Sequence, residues 1–129
     1  MTLRVRPQHD KSTVIVDNYK ALNNLSGLEF RFAHFSATGF IIASSTDSVA
    51  GVIANGGAAS AQQVTIHCWG RSQLKMGGTC AAFDALIADA SGYGLASASD
   101  NSAIGAIALA NCSAAGQIIS VIVVAGFRY

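Results

Sequence analysis

Charge is what this sequence has least of. Only 12% of its 129 residues are Asp, Glu, Lys or Arg, about half the share usual in a globular domain. Eight basic and seven acidic residues leave a net charge of +1, so no global field holds the chain on nucleic acid or an anionic membrane. Cysteine is scarce as well. Cys68, Cys80 and Cys112 are odd in number and form no CxxC pair, so a disulfide framework is not expected and reduced thiols in a cytoplasmic assembly environment are. The uncharged stretch 101–127 is interrupted by Asn111, Ser113, Gly116, Gln117 and Ser120. It leaves about eight continuous apolar residues where a spanning helix needs about 20, and no membrane segment is expected. The first residues, MTLRVRPQHDKST, lack the apolar core of a secretory signal.

Chemistry-bearing motifs are equally thin. There is no GxSxG elbow and no GKS or GKT phosphate loop. His9, His34 and His67 are the only imidazoles available as a base. His67 beside Cys68 invites a metal reading, but neighbours on a strand point to opposite faces and cannot easily aim at one ion. Asp47, Asp84, Asp89 and Asp100 stand beside turn-forming residues or in one ambiguous segment, where aspartate commonly bonds local backbone. The expectation is no catalytic site, no metal and no cofactor.

What the chain has is small and apolar residues. Hydrophobic residues make up 51% of it, and a surface of Ala, Ser, Gly, Thr and Asn is weakly hydrated and suits contact with other chains. The pattern is β. An apolar run GVI at 51–53, a small-residue link and QVTIHCWG at 63–70 are echoed by GAIA at 105–108, a second link and QIISVIVVAG at 117–126. Each copy reads as strand, turn, strand, so two related halves of one sheet system are expected. Further runs lie at 13–16, 28–35, 40–43, 49–54 and 93–98. Val64, Ile66 and Cys68 are expected on one face of their strand, with Thr65, His67 and Trp69 on the other. The final run lacks alternation and is expected to be covered on both faces.

Segment 80–90 is ambiguous: Phe83, Leu86, Ile87 and Ala90 have helical spacing, but a turn and a strand fit equally. The expected fold is therefore all-β, a small sandwich or barrel, with one short helix near 80–90 as an open alternative. Residues 1–24 form an N-terminal arm or edge strand, and 25–129 the β domain. Arg4, Arg6, Lys11, Val14 and Val16 are the candidate contacts of the arm. Trp69, Arg71 and Tyr129 are candidates for a subunit interface, with a half-buried surface tryptophan or a sugar platform as other readings of Trp69.

The order of these motifs resembles the small phage capsid decoration, or cement, proteins. The resemblance rests on GVI at 51–53, VTI at 64–66 with Gly70, DASG at 89–92, IGAIA at 104–108 and SAAG at 113–116 leading into 118–124. It covers a little over half of the chain, and the first fifty residues depart from the pattern. It implies a non-enzymatic virion protein on the capsid exterior, assembled in the host cytoplasm, commonly trimeric and clamping neighbouring major capsid subunits. A different expectation is a carbohydrate- or receptor-binding β module of a phage tail or fibre, using Trp69 and Tyr93.

Overall fold

A computed structural model describes residues 15–36, 39–43, 49–54, 57–96 and 103–128. Among these residues every regular element is a strand: β1 (Ile15–Lys20), β2 (Phe32–Ser36), β3 (Gly39–Ile42), β4 (Gly51–Ile53), β5 (Gln63–Lys75), β6 (Ala85–Ala88), β7 (Gly94–Ala96), β8 (Ala103–Ala108) and β9 (Ile118–Arg128). They form one antiparallel sheet in the order β3-β2-β4-β5-β9-β8-β6-β7, with β1 on β5.

That order reads the same from either end. In the first half a hairpin, β2–β3, hands its first strand to β4, which pairs with β5. The second half repeats the arrangement with β6–β7, β8 and β9. The two long strands meet in the middle, from Trp69 opposite Val124 to Lys75 opposite Ile118. The echo in the sequence is thus a repeat of the pairing scheme.

The sheet curls until its ends approach. Phe32 donates its N–H to the Gly92 carbonyl at 2.8 Å, joining β2 to the turn before β7. The concave face carries the larger core: Phe32, Val52, Leu74, Met76, Leu86, Ala106, Val121 and Val123 are all buried there. Phe32 stands opposite Val52 as Leu86 stands opposite Ala106, so each repeat supplies the same two positions.

Among the described residues, a second core lies on the opposite face of the first half only. Ala33, Ile53, Val64 and Ile66 pack with Ala21, Leu25, Phe40 and Ala58, which belong to the segment after β1, to β3 and to the link before β5. The backbone of that cover is stitched down by Ala21 N–H to the Gln62 carbonyl (2.8 Å) and Leu25 N–H to the Ala58 carbonyl (2.7 Å).

Of the two readings of segment 80–90 the structure takes the turn followed by a strand, β6, because Leu86 and Ala85 pair with β8 in a ladder that a helix could not offer. It departs from the sequence expectations at three places. The run at 28–35 is strand only from Phe32 onward; Phe30 has φ 63°, which breaks extended geometry. Trp69 is separated from His67 by a bulge: Ile15 faces Trp69 and Val16 faces His67, with Cys68 left over. The extra residue inverts the alternation, and His67 Nδ1 meets Ser72 Oγ at 2.7 Å, five residues along the strand. Finally, β9 is central in the sheet yet covered on one face only. Val121 and Val123 are buried, whereas Ile118 and Ile122 are 46% and 37% exposed.

The equivalent glycines Gly51 and Gly105 sit where a side chain has no room. A Cβ on Gly105 would meet the fully buried Phe32 ring at 2.5 Å, and one on Gly51 would strike the His67 carbonyl. Gly105→Ala is expected to lower stability by about 1–3 kcal/mol through overpacking, measured by urea denaturation. Gly51→Ala is expected to cost at least as much, since its obstacle is backbone. A variant within 0.5 kcal/mol of wild type would contradict the packing described.

Candidate functional site

The bulge at Cys68 decides where apolar surface is left over. Upstream of it, β5 buries Val64 and Ile66 under the second core. Downstream, Leu74 turns to the concave face, and Trp69, Arg71, Gln73 and Lys75 fall on the convex one. Arg71 stands opposite Ile122, and Ile122 opposite Ile107. Ile87 opposite Leu95 continues the same face toward β7. The first half covers these positions with Leu25, Phe40 and Ala58. The second half has no such cover among the described residues.

The uncovered strip deepens into a concave site of about 600 Å³ lined by Trp69, Gly70, Arg71, Phe83, Leu109 and Ile122. Trp69 is 42% exposed and Phe83 77%. Gly70 makes the floor close to the backbone and has φ 99°, a conformation open to glycine and costly for other residues. The floor is apolar, and among the described residues Arg71 is the only ionisable side chain in the lining.

Phe83 is held out at a cost. Its φ is 71°, a left-handed conformation in which a bulky residue is strained by about 1–3 kcal/mol. Four hydrogen bonds fix the loop around it. Phe83 N–H bonds the Ala108 carbonyl at 2.7 Å and Asp84 N–H bonds the Ala81 carbonyl at 3.2 Å. Asp84 Oδ2 accepts from Ala81 N–H at 2.9 Å, and Asn111 Oδ1 accepts from Ala82 N–H at 2.8 Å. A strained, exposed aromatic clamped by its own loop is placed to be touched from outside.

Of the residues singled out in the sequence, Trp69 and Arg71 come together in this site, two apart on β5. Tyr129, Arg4, Arg6, Lys11 and Val14 lie outside the described residues; Val16 is in β1, opposite His67. Tyr93 does not line the site. Arg31 lies over its ring at 4.3 Å from the centroid and Lys75 at 5.9 Å, a pair of cation–π contacts. Asp84 and Asp89 do what turn aspartates do, Asp89 Oδ1 accepting from the N–H groups of Ser91 and Tyr93. No group of three or more metal-ligating side chains occurs among the described residues. No helix among them is long and apolar enough to cross a membrane.

Phe83, Leu109 and Ile122 were missed by sequence reasoning. The sequence pattern places Phe83 either on the apolar stripe of a candidate helix or in a turn with Asp84, and Ile122 in a strand covered on both faces. A signal was present: Phe83 precedes Asp84 in a stretch with a turn reading.

No protein-family model matches the sequence, and no curated protein does. Among solved structures the fold is similar to the N base of head fiber gp8.5 of bacteriophage phi29. The two share 14% sequence identity at a TM-score of 0.68, over 86% of this chain and 94% of that one.

Two outcomes test the site. Phe83→Gly is expected to raise stability by up to about 1 kcal/mol, because it removes strain and loses little buried surface; equilibrium denaturation would read it. His67, beside the bulge, has its pKa lowered by burial. Its folded pKa lies below its unfolded one, so its stabilising contribution is complete above the ordinary histidine value of about 6.5 and is lost as pH falls below it. His67→Asn is expected to flatten the fall in stability below about pH 6.5 relative to wild type.

Proposed function

We propose that this chain is a structural protein of a phage virion, attached to the outside of the head through the Trp69–Phe83–Ile122 site. The observation that carries the reading is the shared fold with a head fibre base, and the uncovered apolar strip agrees with it. Contacts of this kind are dominated by a few aromatic and arginine side chains in a desolvated pocket. Trp69, Phe83 and Arg71 have that composition. The major capsid protein is the proposed partner. The reading assigns the chain an assembly role and no turnover, and residues 1–14 serve as an accessory arm. Repetition over a head lattice makes a modest single contact sufficient.

A second reading, the base of a fibre rising from the head, is favoured by the same likeness, since the matching structure is itself a fibre's N-terminal base. It uses the same virion location but adds a distal partner. The sugar platform built on Trp69 and Tyr93 has less support, because Tyr93 does not line the site with Trp69 and its ring lies under Arg31.

The test uses heads assembled without this protein and then incubated with it. Phe83→Ala and Arg71→Glu are both exposed changes expected to leave the fold intact and weaken head binding at least tenfold, read by co-sedimentation. Deleting residues 1–14, which spares β1, is expected to weaken binding less. Full occupancy by both site variants would refute the site as the point of attachment.

A further inference from the structure

Cys80 and Cys112 meet in the structure, far apart in the sequence. They form an isolated antiparallel bridge, each donating its N–H to the other's carbonyl, at 3.0 Å and 2.9 Å. Residues directly opposite in such a bridge carry their side chains on one face, with Cα atoms about 5.5 Å apart. That lies inside the range a disulfide spans, about 4.4–6.8 Å. Both side chains also touch the same concave core, Cys112 buried in it and Cys80 packed against it. Both are free thiols. Cys112 Sγ points to the carbonyls of Ala114 and Gly78, at 3.1 Å and 3.3 Å, and Cys80 Sγ to that of Ala110 at 3.8 Å. Cys68 packs against the other core, on the opposite face of the sheet.

We propose that Cys80 and Cys112 are a reversible redox pair, closing to a disulfide that staples the loop carrying Phe83 to the link between β8 and β9. The pair stands on its own geometry and does not depend on the groove being the attachment site. Glutathione disulfide is a sufficient oxidant. The half-buried Cys80, as thiolate, attacks one of its sulfurs and releases one glutathione thiolate. Cys112, as thiolate, then attacks the Cys80 sulfur and releases the second. Two protein thiols lose two electrons and two protons, and one glutathione disulfide becomes two thiols. Hydrogen-bonded bridge positions hold their Cβ atoms somewhat farther apart than a relaxed disulfide prefers, so the bond is strained and readily reduced. It therefore stays open in a reducing cytoplasm and closes outside. Burial, then the neighbouring Cys112, pushes the Cys80 thiol up, so closure is slow at neutral pH and quickens in alkali.

The experiment takes the full-length protein into glutathione disulfide buffer at pH 8. Reactive thiols are expected to fall from three to one, with a mass loss of two hydrogens. After chymotryptic cleavage between the two cysteines, their peptides are expected to stay joined until reduced. The thermal midpoint is expected to rise by roughly 5 °C and to return on adding reduced glutathione. Cys68→Ser keeps all of this, whereas Cys80→Ser, at the half-buried position, loses it. Three persistent thiols, a glutathione adduct that never resolves, a bond through Cys68 or between molecules, or an unmoved midpoint would each overturn the proposal. So would Cys80→Ser still losing two thiols.

Discussion

The ladder between β5 and β9 is the constraint on which the rest depends. Seven residue pairs, Trp69–Val124 through Lys75–Ile118, join two halves that each contain a hairpin and two further strands, with β1 added to the first half on β5. Neither half closes the larger core alone. Phe32 and Val52 come from one, Leu86 and Ala106 from the other, and the central ladder turns them toward a common interior. A two-stranded hairpin is marginal in water, and a multi-stranded sheet with a buried face is not.

The same ladder explains the exposed face. A sheet has two faces, and this one has enough cover for one and a half. The N-terminal segment and the link before β5 supply Ala21, Leu25 and Ala58 over the first half. The second half presents Ile107, Ile118 and Ile122 on that face, with no comparable segment over them among the described residues. With few charges available, the leftover face remains apolar, and such patches on a small domain mark contact surfaces. Function in this reading follows from an asymmetry between two otherwise matched repeats.

The Phe83 loop is where stability and contact are traded. Its left-handed backbone and exposed ring work against folding, and the hydrogen bonds from Ala81, Ala82 and Asp84 hold it in place regardless. The cysteine bridge lies at the foot of this loop, so the chemistry of the two thiols bears on the rigidity of the rim.

The all-β class, the paired repeats and the turn roles of Asp84 and Asp89 were legible in the sequence, because β-branched runs, breaker clusters and short polar side chains act locally. Trp69 and Arg71 could be nominated for the same reason: a large aromatic beside a glycine and a cation stands out in a chain with little charge. Tertiary structure decided the rest. Whether 85–88 is strand or helix depended on β8 arriving beside it. The side of β5 on which Trp69 falls depended on one extra residue at Cys68, since a shift of one position flips every later side chain. The coverage of Ile122 depended on which segments fold over which half, and the meeting of Cys80 with Cys112 on a pairing between two links. Each of these is a contact between residues distant in the chain, and local periodicity carries no information about it.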